Sequence, residues 1–305
     1  MSTPSDPTPW QSGATDAVEG RLHADAHRAV GGTLNLIREF SRVSQELDPT
    51  TTQDRIVKRL VFLSYDLQMH VAEGASEHER LSVLNRFFFD THRFKCSAEP
   101  TRLTETCESF RLNRVLADRL GAGSVLSLIY AYLAERIGVR LEFVDLKPAS
   151  FLKWTEKTSS KPRPRYIDMT RSGAILTDDE LIETLHTRFK MLSICHANVL
   201  EPYAFENYLC DYLHDLKKSL VASGDPEHLL FIQDTLISYQ PSNLQLLAER
   251  ALLHRRIGNF KSALSDLKRY FAFHERSKSP VEFVSLYEEL TQLLERHKTS
   301  IDVLD

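Results

Sequence analysis

Long apolar runs are missing from this 305-residue chain: no stretch approaches the roughly 20 consecutive apolar residues that a membrane span requires. The N-terminus also lacks the basic-then-apolar layout of a secretory signal. Cysteine is scarce. The four present, Cys96, Cys107, Cys195 and Cys210, show neither CxxC spacing nor a histidine arrangement suited to zinc, and they are too few for a disulfide scaffold. An excess of one charge is lacking too. With 38 basic and 42 acidic residues the formal charge is -4, which gives no general attraction to nucleic acid or to an anionic membrane. The Gly31, Gly32 pair precedes a helical pattern without the rest of a phosphate-binding loop. These absences predict a cytoplasmic protein with no metal or nucleotide cofactor, and the 42% apolar content suffices for two domains with their own cores.

What is present is organised around residues 121–154. Val125, Ile129, Leu133 and Ile137 recur every four residues, with Leu126, Tyr130 and Ala134 one position on, so the spacing predicts a buried helix. Ser124 is expected to cap its start and Ser127 to allow close packing. Gly138, after Arg136 and Ile137, suits the left-handed residue that ends a helix. Three strands are then expected, at Leu141 to Leu146, Phe151 to Trp154 and Arg165 to Met169.

Core helix followed by three strands, with these residues, resembles the transglutaminase-like core, most closely its SirB1-type branch with helical repeats behind it. In active members of the superfamily a cysteine opens the core helix, a histidine on the next strand deprotonates it, and an aspartate on the following strand orients the histidine. The branch's Pro-Gly-His-Phe-Leu pattern stands here as Pro148, Ala149, Ser150, Phe151, Leu152, so Ser150 takes the histidine position. The aspartate is retained as Asp168 in Ile167, Asp168, Met169, with Gly173 beyond, and the cysteine position falls on Gly123. The resemblance therefore implies a degenerate triad of Gly123, Ser150 and Asp168. The same family places the asparagine and aromatics of the segment from Glu79 to Phe89 against the core helix, which makes Phe87, Phe88 and Phe89 core residues.

Around this centre, residues 1–15 are rich in Ser, Thr, Pro and Gly and are expected to be disordered, with Trp10 as a docking anchor. Helices are expected over about Ala17 to Leu47 and Thr52 to Glu73, and Thr177 with Glu180 forms a capping box that starts another near Leu176. A domain boundary is placed near residues 190–202, dividing 16–195 from 196–305. Behind it Gly224 and Gly258 are 34 residues apart, the period of a tetratricopeptide repeat, and a last helix over about Val281 to Arg296 would close the stack. Arg250 and His254 depart from that pattern. The expected class is α+β and mostly helical: a degenerate transglutaminase-like core, a helix with a small antiparallel sheet, followed by helical repeats.

Two functions follow from these residues. The first is a non-catalytic interaction or regulatory protein, the regulatory part resting on the SirB1 resemblance alone. Its protein or peptide partner would lie along Asp211, His214, Lys218, Gln245, Leu252 and Arg255, where Lys218 and Arg255 would grip an acidic segment. The second is an atypical hydrolase or acyl-transfer enzyme using Asp168 with Ser150, with Cys107 or with a histidine such as His92. Cys195 beside His196 is not a catalytic pair, because neighbouring positions point in different directions.

Overall fold

The computed structural model describes residues 32–97, 106–144, 146, 150–156, 162–190, 203–221 and 224–302, the last six of these as backbone only. Trp10, Pro148, Ala149, Cys195, His196 and the 190–202 boundary, apart from Lys190, lie outside the described residues.

Helix α1 (Gly32–Leu47) buries Leu36, Ile37, Phe40, Val43 and Leu47, a three-and-four spacing that forms one apolar stripe. Helix α2 (Gln53–Met69) starts where the Thr52 side chain accepts the Arg55 N–H. It ends four residues short of the expected Glu73, because the His70 amide turns back on Leu67 and Gly74 follows at φ +79°. Helix α3 (Glu77–Asn85) opens with a Ser76/Glu79 capping box and runs into a π-helical turn, Arg86–Thr91, that buries Phe87 and Phe88. Strand β1 (Lys95–Cys96), helices α4 (Cys107–Phe110) and α5 (Leu112–Asp118) and strand β2 (Leu120–Gly121) lead to the core helix α6 (Gly123–Arg136). Every α6 residue from Val125 to Ala134 is buried, as its apolar content predicts.

Ser124 does not cap α6. The cap is Ala122, without a side-chain bond, because β1 and β2 pair in parallel and the Ala122 amide donates to Ser109 O, so the helix is entered two residues earlier. At the other end Gly138 is left-handed at φ +76°, as the sequence predicts. The sheet is an antiparallel meander in chain order: β3 (Glu142–Phe143), β4 (Phe151–Glu156), β5 (Arg163–Asp168) and β6 (Ala174–Leu176). Of the first expected strand, Glu142 and Phe143 are the residues laddered with β4 among the described residues, and the Phe143 carbonyl accepts the Tyr203 amide. Helix α7 (Asp178–Arg188) follows the Thr177/Glu180 capping box.

The described residues beyond form the α-helices α8 (Phe205–Val221), α9 (Pro226–Tyr239), α10 (Gln245–Arg256), α11 (Phe260–Phe271) and α12 (Val281–Asp302). Gly224 and Gly258 stand at corresponding turns with φ +74° and +82°. One hydrophobic core runs from α1 through α6 to α10, with Phe40 stacked on Tyr212 at 3.7 Å between ring centres. A second core packs the sheet on α7, and a third joins α10, α11 and α12. Arg250 is itself a packing element: its guanidinium takes both Asp266 oxygens on α11, at 2.7 and 2.8 Å, and Asp234 on α9 at 2.8 Å. Architecture and sequence agree on a mostly helical α+β chain with a helical C-terminal region.

Candidate functional site

Gly123, Ser150 and Asp168 come together at the start of α6. Strand β4 begins at Phe151 paired with Asp168, so Ser150 stands just outside the ladder, where its carbonyl accepts the Met169 amide at 3.3 Å. The Ser150 side chain lies over Gly123. A Cβ on residue 123 would fall 2.6 Å from Ser150 Cβ and nearer still to its hydroxyl, so a nucleophile-bearing side chain has no room there. Cys96 Sγ lies 3.8 Å from the same point. It is delivered by β1, whose register sets Cys96 beside Gly121. The sequence gives no signal for this third group, since it reaches the helix start through a two-residue parallel pairing between segments 25 residues apart.

Asp168 is fully buried. It closes a short turn by accepting the Thr170 amide at 2.8 Å and the Thr170 hydroxyl at 2.6 Å, and its other oxygen accepts Arg188 Nη1 at 3.1 Å. Arg188 also donates to Thr170 Oγ1 at 3.2 Å, so the last residue of α7 locks the turn. A buried carboxylate needs such partners, and these compensate its charge. Beyond the turn, Gly173 at φ +74° donates its amide to Asp168 O, while Asn85 Nδ2 donates to Gly173 O at 2.9 Å and Asn85 Oδ1 accepts the Tyr130 hydroxyl at 2.7 Å. The asparagine before the three phenylalanines thus ties the sheet turn to the core helix.

The other candidates lie elsewhere. His92 Nε2 is 3.3 Å from Asp66 on α2 and its ring packs on Phe87; burial and the Arg119 cation hold its pKa below the usual imidazole value. Cys107 opens α4, where burial pushes its thiol pKa up, and the charged groups acting on it are Arg111 and Glu108. Such a thiol is a poor nucleophile. Of the expected partner-binding residues, Asp211 accepts the Tyr203 hydroxyl, His214 is half-buried on α8, and Leu252 packs into the third core. Gln245 and Arg255 are exposed on α10, and Lys218 on α8. The two cations each hold a carboxylate of this chain: Lys218 takes Asp215 at 2.8 Å, and Arg255 takes both oxygens of Glu289 on α12, at 2.9 and 3.0 Å.

The core helix thus opens against the start of one antiparallel strand and the end of the next, which carries a buried aspartate. The chain belongs to the transglutaminase-like superfamily, whose family model matches residues 53–207, from the first residue of α2 into α8. No curated protein matches the chain.

The contact over Gly123 sets a first prediction. Gly123→Ala should cost about 1–3 kcal/mol by overpacking, read as a shift in the urea midpoint. Ser150→Gly in the same chain should restore most of that loss, because the obstructing atoms are its own Cβ and hydroxyl. Equal losses in the single and double variants would show that the two positions do not touch.

Proposed function

We propose that this protein is a non-catalytic interaction module of regulatory function, in which the transglutaminase-like core has become a scaffold for the helical region behind it. The observation that carries this reading is Ser150 filling the space over Gly123, where the family's thiol and imidazole would meet. The occupation of Asp168 by Thr170 and Arg188, rather than by a base, supports it, as does the raised pKa of the Cys107 thiol. We read the C-terminal helices as tetratricopeptide-type repeats of a SirB1-type protein. Their matched left-handed glycines, 34 residues apart, support that reading. Among the described residues no helix is long and apolar enough to cross a membrane. On sequence grounds we place the protein in the cytoplasm, with a protein or peptide as partner rather than a nucleic acid.

The partner surface we propose includes Lys218, Gln245 and Arg255. Exposed ion pairs contribute only about 0.2–1 kcal/mol, so an acidic peptide would displace Asp215 and Glu289 at small cost. The test is a pull-down from native lysate with wild type beside a Lys218→Glu, Arg255→Glu double variant whose thermal unfolding is unchanged. A partner retained by wild type and lost by the variant supports the surface, and equal capture by both rejects it. Hydrolysis or acyl transfer by wild type that disappears in Ser150→Ala would reject the non-catalytic reading.

A further inference from the structure

At the far end of α6 from the triad lies an open cavity of about 600 Å³. Its floor is Leu36 and Val139, both buried members of the main core, and its walls include Phe143, Tyr203 and Phe205, which are only half-buried. Glu135 lines it too and is exposed. Apolar side chains held half in water around one opening leave unburied surface that an apolar occupant would cover. Gly32, the first described residue, is itself part of the cavity lining, so the chain upstream starts from its mouth.

We propose that the cavity is the docking site of this chain's own N-terminal segment, residues 1–31, with Trp10 as the anchor. Trp10 is the sole aromatic residue of that segment. For the 21 residues between it and Gly32 the random-coil root-mean-square reach is about 25 Å, ample for a site at the tether point. Tethering at that range corresponds to a local concentration of order millimolar, which a single aromatic anchor can exploit. An indole suits both halves of the lining: its rings against Phe143, Tyr203 and Phe205, and its N–H towards a carboxylate such as Glu135 at the rim.

The chain's other tryptophan, Trp154, is 2% exposed on β4. The full chain carrying Trp154→Phe therefore reports on Trp10 alone. Its emission should be blue-shifted, and acrylamide quenching several-fold weaker than for a free peptide of residues 1–31. Adding Phe205→Asp should return both readings to the peptide's values. Quenching as free as the peptide's overturns the proposal, and so does shielding that survives Phe205→Asp. Should Trp154→Phe not fold, Trp10→Ala in the otherwise native full chain is followed by amide exchange across residues 138–143. Exchange several-fold faster than in wild type is expected; unchanged exchange overturns the proposal.

Discussion

Asp168→Ala should lower the stability of the protein by about 3 kcal/mol or more, because hydrogen bonds to a charged group contribute about 1.5–3 kcal/mol each and this carboxylate accepts three. The substitution removes the acceptor that closes the Thr170 turn and leaves Arg188 without its carboxylate at the end of α7. Asp168→Asn keeps the shape and one acceptor oxygen, so its loss should be roughly half as large. Urea unfolding followed by circular dichroism measures both. The reverse deletion, Arg188→Met, strands a buried charge and should be as damaging as Asp168→Ala, whereas the combined Asp168→Asn, Arg188→Met variant should be milder than the sum of its parts. Strict additivity would mean that Asp168 and Arg188 are not coupled. An Asp168→Asn variant of full stability would show that the aspartate is kept for something other than the fold.

The second large effect is expected at Arg250. Asp266 is 4% exposed and depends on this guanidinium for both oxygens, so Arg250→Ala should cost about 3–5 kcal/mol. Loss of cooperative unfolding in the C-terminal helices would accompany it, because Arg250 joins α9, α10 and α11. Replacing Arg250 and Asp266 together by leucine removes both charges and should recover much of the loss. Acid reads the same joint. Burial holds His254 below the usual imidazole pKa, against the pull of Asp266 and aided by the Arg250 cation. A lowered histidine stabilises the fold above its ordinary pKa near 6.5 and loses that contribution as pH falls through the folded value. Stability should therefore drop between about pH 7 and pH 5. Since His92 is lowered as well, a His92→Phe, His254→Phe variant should flatten that slope. An unaltered slope would assign the acid sensitivity to other groups.

Much of the fold is legible in the residues because its signals are short-range. The apolar repeat from Val125 to Ile137 predicts a buried helix, and α6 buries almost every side chain between those points. Thr177 and Glu180 form the reciprocal cap that their spacing predicts, and Gly138, Gly224 and Gly258 are left-handed at the turns where each was expected. Strand extent was less legible. Leu141 to Leu146 has the composition of a strand, yet among the described residues only Glu142 and Phe143 are laddered with β4, since pairing depends on a partner and not on local preference. The cap assigned to Ser124 failed for the same reason: a parallel pairing with β1 decides where the helix is entered.

By itself, the sequence determined the core helix, its stop, the capped α7 and the glycine turns of the C-terminal helices, all set by groups within about one helical turn of each other. Only the tertiary structure decided that Ser150 lies over Gly123 with Cys96 alongside, that Arg188 compensates Asp168, and that Arg250 joins three helices through Asp234 and Asp266. The physical reason is common to these contacts. Each joins side chains on different elements, whose meeting depends on packing and strand register rather than on the local preferences that a sequence displays.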